Sequence, residues 1–204
     1  MASGTWVTAA VRRGRPGHSL ESLLPVAVEL FNERGYEATS MDELATRLGV
    51  TKSAIYHHVR SKEELLRRAV DRALDALFAV TREPGATTGP AIDRLEHVVR
   101  GSVRVLAAEL PFVTLLLRVR GNSAVERAAL QRRREFDRLV TDLVRTAEEE
   151  GSVRPDVDPA VTSRLLFGTV NSLTEWYRPG GGLSAGALAD AVVAVTFSGL
   201  RAAP

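Results

Sequence analysis

Cysteine is missing from the 204-residue chain, which excludes disulfide bonds and thiolate chemistry. No apolar run approaches the roughly 18 residues of a membrane-spanning helix. The first residues also lack the continuous apolar segment of a signal peptide. These absences favour a cytoplasmic protein without a membrane partner. The length suits one mid-sized domain, or a small domain joined to a larger one.

Catalytic and metal-binding constellations are sparse as well. The chain has 4 histidines, and the adjacent pair His57 and His58 would point about 100° apart on a helix. Such a pair cannot hold one metal ion as an i, i+4 pair can. The chain contains no G-x-S-x-G elbow and no phosphate-binding loop motif. We therefore expect no metal, no cofactor and no enzymatic activity.

Charge is nearly balanced, with 27 basic and 25 acidic residues and a net charge of +2. This balance does not by itself indicate a nucleic-acid partner. Arginine supplies all the basic residues except two lysines, Lys52 and Lys62, and both lysines fall within residues 48–66. A positive surface must therefore arise from local arrangement.

Almost every segment has apolar residues at the 3–4 spacing of helices, and none alternates as a strand does. S-x-x-E capping boxes begin at Ser40 and Ser61, and Asp158 with Pro159 marks a further helix start. The Pro- and Gly-rich segment 81–90 breaks the pattern and indicates a boundary. We predict an all-α protein of about nine helices: 20–34, 41–48, 52–58, 61–80, 91–109, 112–119, 123–149, 158–178 and 185–201.

The stretch LGVTKSAIYHHVRSKEELL, residues 48–66, has the pattern of a helix-turn-helix. Helix 41–48 would meet helix 52–58 across Gly49, with the small Ala45 where the two helices cross. The second helix could then enter a major groove about 12 Å wide and present its first residues to base edges. A structural hairpin with a solvated polar face is the alternative. The glycine turn, small crossing residue, helix cap and polar face together favour DNA binding.

Residues 39–66, TSMDELATRLGVTKSAIYHHVRSKEELL, resemble the DNA-binding signature of TetR-family transcriptional regulators, and the resemblance extends to the preceding AVELFNERGYEATSM. Val59 departs from the aromatic residue, usually Phe, that many relatives have there. The resemblance implies three parts: a flexible basic N-terminal arm (1–18), a three-helix helix-turn-helix DNA-binding domain (19–65), and a helical ligand-binding and dimerisation domain (66–204). In the arm, RRGRPG is a candidate for a minor-groove contact, and a tail that aids solubility is the alternative.

Candidate DNA contacts follow from the signature. Residues at the start of helix 52–58 are placed for base edges and phosphates, and those at the starts of the neighbouring helices for phosphates. The resemblance adds an aromatic and a histidine as phosphate or sugar contacts. The candidate DNA-binding residues are Thr39, Ser40, Thr51, Lys52, Ser53, Ala54, Tyr56, His57 and Lys62.

The last two helices each have two apolar lines, so they need a second partner besides one core. The core of the same chain is one candidate, and the resemblance implies a twin subunit packed in a four-helix bundle. A C2 homodimer would place two recognition helices about 34 Å apart on a palindromic operator of double-stranded DNA. The candidate dimer-interface residues are Leu165, Val170, Leu188, Val192 and Val195.

A pocket between helices is expected in the second domain. Its candidate lining comprises apolar residues, two arginines and one amide, although ordinary core packing explains each apolar residue equally well: Phe112, Leu116, Arg118, Arg120, Phe136, Phe167, Asn171, Trp176 and Tyr177. Residues 170–184, VNSLTEWYRPGGGLS, resemble a helix ending in regulators of catabolism that respond to acyl-CoA thioesters.

If the effector is such a thioester, its phosphates would be bound by arginines, and the candidates are Arg118, Arg120, the run Arg132–Arg134 and Arg178. The resemblance therefore implies a TetR-type repressor released from DNA by a small-molecule inducer, such as an acyl- or aryl-CoA thioester. An activator, a different hydrophobic effector and a regulator without a ligand remain alternatives.

Overall fold

The computed structural model describes residues 19–198 of the chain, and every regular element in this range is helical. The predicted arm, residues 1–18, and the predicted end of the last helix, 199–201, lie outside the described residues. Ten α-helices follow one another: α1 Leu20–Arg34, α2 Met41–Leu48, α3 Lys52–Tyr56, α4 Lys62–Val80, α5 Pro84–Thr87, α6 Ala91–Ala108, α7 Leu110–Arg118, α8 Ala124–Glu149, α9 Pro159–Trp176 and α10 Ala185–Val193. A π-helical turn, Ala194–Ser198, continues α10. The prediction of an all-α fold is confirmed.

Helix starts lie where the caps predicted them. Ser40 and Glu43 form a reciprocal capping box on α2, with Oε2 of Glu43 accepting the Ser40 N–H at 2.9 Å. Ser61 caps α4 through the N–H of Glu64. The second predicted box differs, because the Glu64 carboxylate accepts the N–H of Arg60 rather than that of Ser61. Asp158 accepts two N–H groups at the start of α9.

The segment 81–90, predicted as a break, contains the short helix α5. Its Ala86 is buried against the neighbouring helices, so the segment contributes to the core rather than running free. Between residues 19 and 198, no helix is both long and apolar enough to cross a membrane.

Two apolar clusters build the interior. The first joins the head, which we define as α1–α3, to α4, α7 and the beginning of α8. The second lies in the body, which we define as α5–α10. Phe78 of α4 and Val113 of α7 pack against both clusters. Because fully burying a Leu or Phe side chain contributes about 1.5–3 kcal/mol, these shared helices join head and body strongly.

Polar contacts also fix the head on α7. The Asn32 amide donates to the carbonyl of Pro111 at 2.8 Å, and Arg118 donates to the carbonyl of Asn32 at 2.7 Å. Arg72 of α4 forms a bidentate ion pair with Glu109, at 2.7 and 2.8 Å. The head is thus joined to the body through both α4 and α7.

Gly101 marks the closest approach of α6 to the end of α4, because an added Cβ would lie 2.3 Å from Cγ1 of Val80. Gly→Ala inside a helix ordinarily stabilises by about 0.5–1 kcal/mol. Here we expect Gly101→Ala to lower the free energy of unfolding by about 1–3 kcal/mol, because overpacking dominates. Urea denaturation measures the change.

The double variant Gly101→Ala/Val80→Ala provides the control. Removing the Val80 methyl groups makes room for the new Cβ, so the double variant should be more stable than the sum of the two single effects predicts. If the double variant loses as much free energy of unfolding as the two single variants together, the close contact between Gly101 and Val80 is contradicted.

Candidate nucleic-acid interface and small-molecule cavity

The turn between α2 and α3 is built on Gly49, whose φ of 66° lies in the left-handed region that disfavours side chains. The N–H of Val50 bonds back to the carbonyl of Ala45 at 3.0 Å, which closes the turn. Thr51 then caps α3 by accepting the N–H of Ala54 at 3.2 Å. The local sequence therefore sets the angle between the two helices.

Helix α3 exposes a polar face. Ile55 and Val59 are buried in the head, while Lys52, Ser53 and Tyr56 are exposed. Thr51 and His57 are also exposed, Ser40 is exposed at the start of α2, and Ala54 is half-buried. The predicted helix 52–58 ends two residues early, because the chain tightens at residues 57 and 58 as Val59 turns into the core.

Lys52 illustrates the electrostatics of this face. Its Nζ lies 2.9 Å from the Asp42 carboxylate, which raises the pKa of Lys52 through a hydrogen bond and charge attraction. Both partners are exposed, and exposed ion pairs contribute little to stability. A DNA phosphate can therefore compete with Asp42 for this ammonium.

Two candidate DNA contacts point inward instead, so their predicted phosphate contacts are corrected. Thr39 is only 3% exposed, and its hydroxyl donates to the carbonyl of Gly35. The ammonium of Lys62 donates to the carbonyls of Tyr36 and Thr39, at 2.8 and 2.9 Å, and lies 4.3 Å from the centre of the Tyr36 ring. Burial raises the pKa of Tyr36 to about 12, so this phenol stays neutral. Lys62 ties the loop after α1 to α4.

Arg60 and Arg67 were missed by the sequence reasoning. Both are exposed, and both line a surface concavity that also includes Tyr56 and His57. Arg67 reaches this concavity because of the angle at which α4 leaves α3, which no local sequence pattern reveals. These arginines add positive charge beside the exposed face of α3.

A narrow cavity lies in the body between five helices. Its lining is mainly apolar and comprises Ala73, Leu77, Ser102, Val105, Leu106, Val113, Leu116, Leu117, Arg133, Phe136, Asp137, Phe167, Val170 and Asn171. The volume of the cavity is about 60 Å³. Four candidate lining residues are therefore where the sequence placed them: Leu116, Phe136, Phe167 and Asn171.

The polar side chains of the cavity lie mostly on one side, between α8 and α9. Arg133, Asp137 and Asn171 also line an outer groove there. Burial raises the pKa of Asp137, while the positive charges of Arg133 and Arg164 oppose that shift. This side, which we call the mouth, connects the cavity to the surface.

Five other predicted lining residues do not reach the cavity. Phe112 is buried in the first cluster under the guanidinium of Arg72. Arg118 is held by the head, and Arg120 is exposed in the loop after α7. Trp176 is 55% exposed on the outer face of α9, and Tyr177 is buried in the second cluster. Their predicted contacts with a ligand are corrected because each side chain faces a different neighbour.

The two predicted apolar lines of α9 separate cleanly. Leu166, Val170 and Leu173 are buried in the body, whereas Leu165 is 66% exposed and shares the outer line with Val161 and Trp176. Leu165 thus stays a predicted dimer contact. Val170 does not, because its own protomer already covers it.

Helix α10 repeats this division. Leu188 and Val192 are buried in the body core, so the prediction that they meet a second chain is corrected. Val195 is 47% exposed, because the wider π-helical turn rotates it away from the line of Leu188 and Val192. Val195 remains a predicted dimer contact.

A helix-turn-helix head on a helical body with an internal cavity defines a class of ligand-responsive DNA-binding proteins. The family model for bacterial regulatory proteins of the tetR family matches residues 23–69, and the model for the tetracyclin repressor-like C-terminal domain matches residues 88–200. The chain belongs to the TetR family of transcriptional regulators, as the signature predicted. Proteins of this family bind operator DNA, form dimers and bind small-molecule effectors.

Similar proteins cover nearly the whole chain. A TetR-family regulator from Streptomyces coelicolor A3 has a solved structure that is 53% identical, covers 95% of this chain and 98% of that chain, and has a TM-score of 0.86. The HTH-type transcriptional repressor KstR2 of Rhodococcus jostii is 30% identical over 190 residues, which is 92% of this chain and 93% of that protein. The structure of AibR in complex with isovaleryl coenzyme A and operator DNA is 26% identical, covers 87% of this chain and 97% of that chain, and has a TM-score of 0.74.

The two lysines should behave differently. Lys62→Met leaves backbone carbonyls without their charged donor, so we expect the free energy of unfolding to fall by about 1.5–3 kcal/mol. Lys52→Met should instead lower the slope of log affinity against log salt concentration by about 1, because one phosphate contact is lost. Urea denaturation and DNA titration at several salt concentrations separate the two roles. A reduced salt slope with unchanged stability for Lys62→Met would contradict the assignment.

Tyr56 carries the largest exposed side chain of α3. We expect Tyr56→Ala to weaken operator binding about tenfold or more, because a hydrogen bond to a charged phosphate contributes about 1.5–3 kcal/mol. Tyr56→Phe isolates the hydroxyl, and sedimentation checks that the dimer is intact. Unchanged operator affinity in Tyr56→Ala would remove this residue from the DNA surface.

Proposed function

We propose that the protein is a dimeric repressor of the bacterial cytoplasm that leaves a palindromic operator when an acyl-CoA thioester enters the cavity of the body. One observation carries this proposal: α4 lines the cavity and also packs against the head. Ala73 and Leu77 line the cavity, while Leu65 and Leu66 of the same helix are buried in the first cluster. A ligand that displaces α4 therefore changes the position of α3.

The proposal keeps the division into a DNA-binding domain at 19–65 and a ligand-binding and dimerisation domain at 66–204. Helix α4 begins at this boundary and runs through both parts. The match of both parts to family models of bacterial regulators supports a regulator rather than an enzyme.

Dimerisation places two heads on one operator. The exposed line of Val161, Leu165 and Trp176 on α9 is long and apolar, and a second copy of the chain would cover it. The π-helical turn after α10 lies beside this line, since Thr196 lines one space together with Leu165. The turn also carries the exposed Val195. The spacing of the two heads then depends on the angle of each α4.

The size of the cavity favours a short acyl group. A buried water needs about 10–15 Å³ on the same measure, so 60 Å³ accepts only a small group before side chains move. The thioester of AibR, isovaleryl coenzyme A, carries a short branched acyl group of this kind. Ring systems would require α4, α7 or α9 to shift.

Release from the operator requires only that the ligand bind the two states of the dimer with different affinities. A ligand shifts the equilibrium between operator-binding and released dimers by the difference in its affinity for the two states. Typical coupling of about 1–3 kcal/mol corresponds to roughly 5–150-fold in operator affinity. The α4 and α7 contacts are the path along which this difference reaches the head.

A regulator without an effector is the second candidate, and the narrowness of the cavity favours it. In that case the space around Leu106, Phe136 and Phe167 is a packing defect of the body. Both candidates predict the same DNA surface and differ only in the response to ligand.

The test is fluorescence anisotropy with DNA from upstream of the protein's own gene, titrated with acyl-CoA thioesters of increasing acyl size. Free coenzyme A and the corresponding carboxylic acids serve as controls. We expect a short-chain thioester to weaken specific binding at least tenfold. Specific binding that no thioester weakens would favour the second candidate, and absence of specific binding would contradict local repression.

Asn171 sits at the mouth, and no hydrogen bond joins its side-chain amide to another residue between 19 and 198. The amide is half-buried and lines both the cavity and the outer groove, so it can donate a hydrogen bond to the ligand carbonyl. We expect Asn171→Ala to raise the thioester concentration for half-release about tenfold, as the loss of one such hydrogen bond implies. Operator affinity without ligand should not change.

Asn122→Ala is the matched control, because Asn122 is exposed in the loop before α8, away from the cavity. Its release curve should match that of the wild type. Equal effects of the two substitutions, or a loss of operator affinity in Asn171→Ala alone, would contradict a role for Asn171 in ligand binding.

A further inference from the structure

The mouth of the cavity opens into a wide groove between α8 and α9. The two spaces share Arg133, Asp137, Phe167 and Asn171. The groove has a volume of about 920 Å³, compared with about 60 Å³ for the inner cavity. A ligand can therefore lie with a small part inside and a large part outside.

Five arginines line this groove, against two aspartates: Arg133, Arg134, Arg138, Arg145 and Arg164, with Asp137 and Asp142. We call it the arginine groove. Within residues 19–198, Arg145 pairs with Asp142 at 2.6 Å, while the other four arginines form no ion pair. Arginines elsewhere do pair, as Arg72 of α4 does with Glu109 and Arg132 of α8 with Asp71.

Helical spacing concentrates this charge. Arg134 and Arg138 are one turn apart on α8, and Arg145 lies two turns further along the same face. Arg164 faces them from α9. Like charges at i, i+4 repel each other, so an anion bound in the groove would relieve the repulsion between Arg134 and Arg138.

We propose that the arginine groove binds the phosphate-bearing nucleotide part of the effector, while the acyl group passes the mouth into the inner cavity. This inference rests on the proposed function. It adds the orientation in which the thioester binds. Arginine suits the role because its planar guanidinium binds phosphate oxygens in a bidentate manner. A short-chain acyl-CoA thioester combines a small acyl group with a diphosphate and a 3′-phosphate, which matches a small apolar cavity joined to a wide cationic groove.

The assignment also revises which arginines serve this purpose. Of the run Arg132–Arg134 singled out in the sequence, only the last two reach the groove. Arg132 is held by Asp71 and Asp75 of α4, at 2.8 and 2.6 Å. Arg178 donates to the carbonyls of Tyr177 and Glu175 at the end of α9.

The experiment measures binding of unacylated coenzyme A to the full-length dimer by isothermal titration calorimetry, without DNA. The groove variant is Arg134→Gln/Arg138→Gln. The matched control is Arg82→Gln/Arg104→Gln, which removes the same charge from exposed arginines outside the groove. Thermal melting and sedimentation verify that both variants fold and dimerise.

We expect the groove variant to bind coenzyme A at least tenfold more weakly than the wild type, and the control to match the wild type within twofold. The affinity of the wild type should also fall when 3′-dephospho-coenzyme A replaces coenzyme A. Absence of binding to the wild type, or equal binding by both variants, would overturn the proposal. Weakened operator binding by the groove variant alone would assign these arginines to DNA and overturn it as well.

A second readout uses the N-acetylcysteamine thioester of the acyl group that releases the operator, since it lacks every phosphate. It should release the wild type only at higher concentration, and the groove variant should not alter its effect. If coenzyme A binds through the groove but no thioester releases DNA, the proposed function fails while the groove site stands. If a coenzyme A thioester releases the groove variant and the control variant at equal concentration, the groove assignment fails while the proposed function stands.

Discussion

Helix α4 is buried at both ends in different surroundings, and the rest of the structure depends on this constraint. Leu65 and Leu66 near its start complete the core beneath the helix-turn-helix, while Ala73 and Leu77 face the cavity of the body. Further along, Gly101 leaves no room for a side chain against Val80. A helix packed so closely moves as a rigid unit, so a change at one end reaches the other.

Helix α7 provides a second connection of a different kind. One side holds the head through the contacts of Asn32 with Pro111 and Arg118, and the other side contributes Val113 and Leu116 to the cavity. These hydrogen bonds are few and directional, whereas the α4 contacts are apolar and numerous. The head is therefore held in position by directional hydrogen bonds to α7 and by hydrophobic burial against α4.

Arginine serves three separate purposes in this chain. Arg72 and Arg132 pair with carboxylates across helices and stack over Phe112 and Phe78, which stabilises the packing. Arg60 and Arg67 lie beside the exposed face of α3. Of the five arginines between α8 and α9, four form no ion pair within residues 19–198, and only Arg145 pairs with a carboxylate. A structural arginine has a carboxylate within ion-pair distance, whereas an arginine without one can bind an anion.

The sequence by itself determined the helices, their caps, the glycine turn and the exposed face of α3, because these depend on residues within a few positions of one another. It also predicted two apolar lines on α9. Only the tertiary structure decided which line is exposed, that Lys62 and Thr39 turn inward, and that Phe112, Arg118 and Trp176 lie away from the cavity while Asn171 lies at its mouth. The reason is physical: local patterns fix the direction of a side chain relative to its own helix, but its neighbours depend on how distant helices cross.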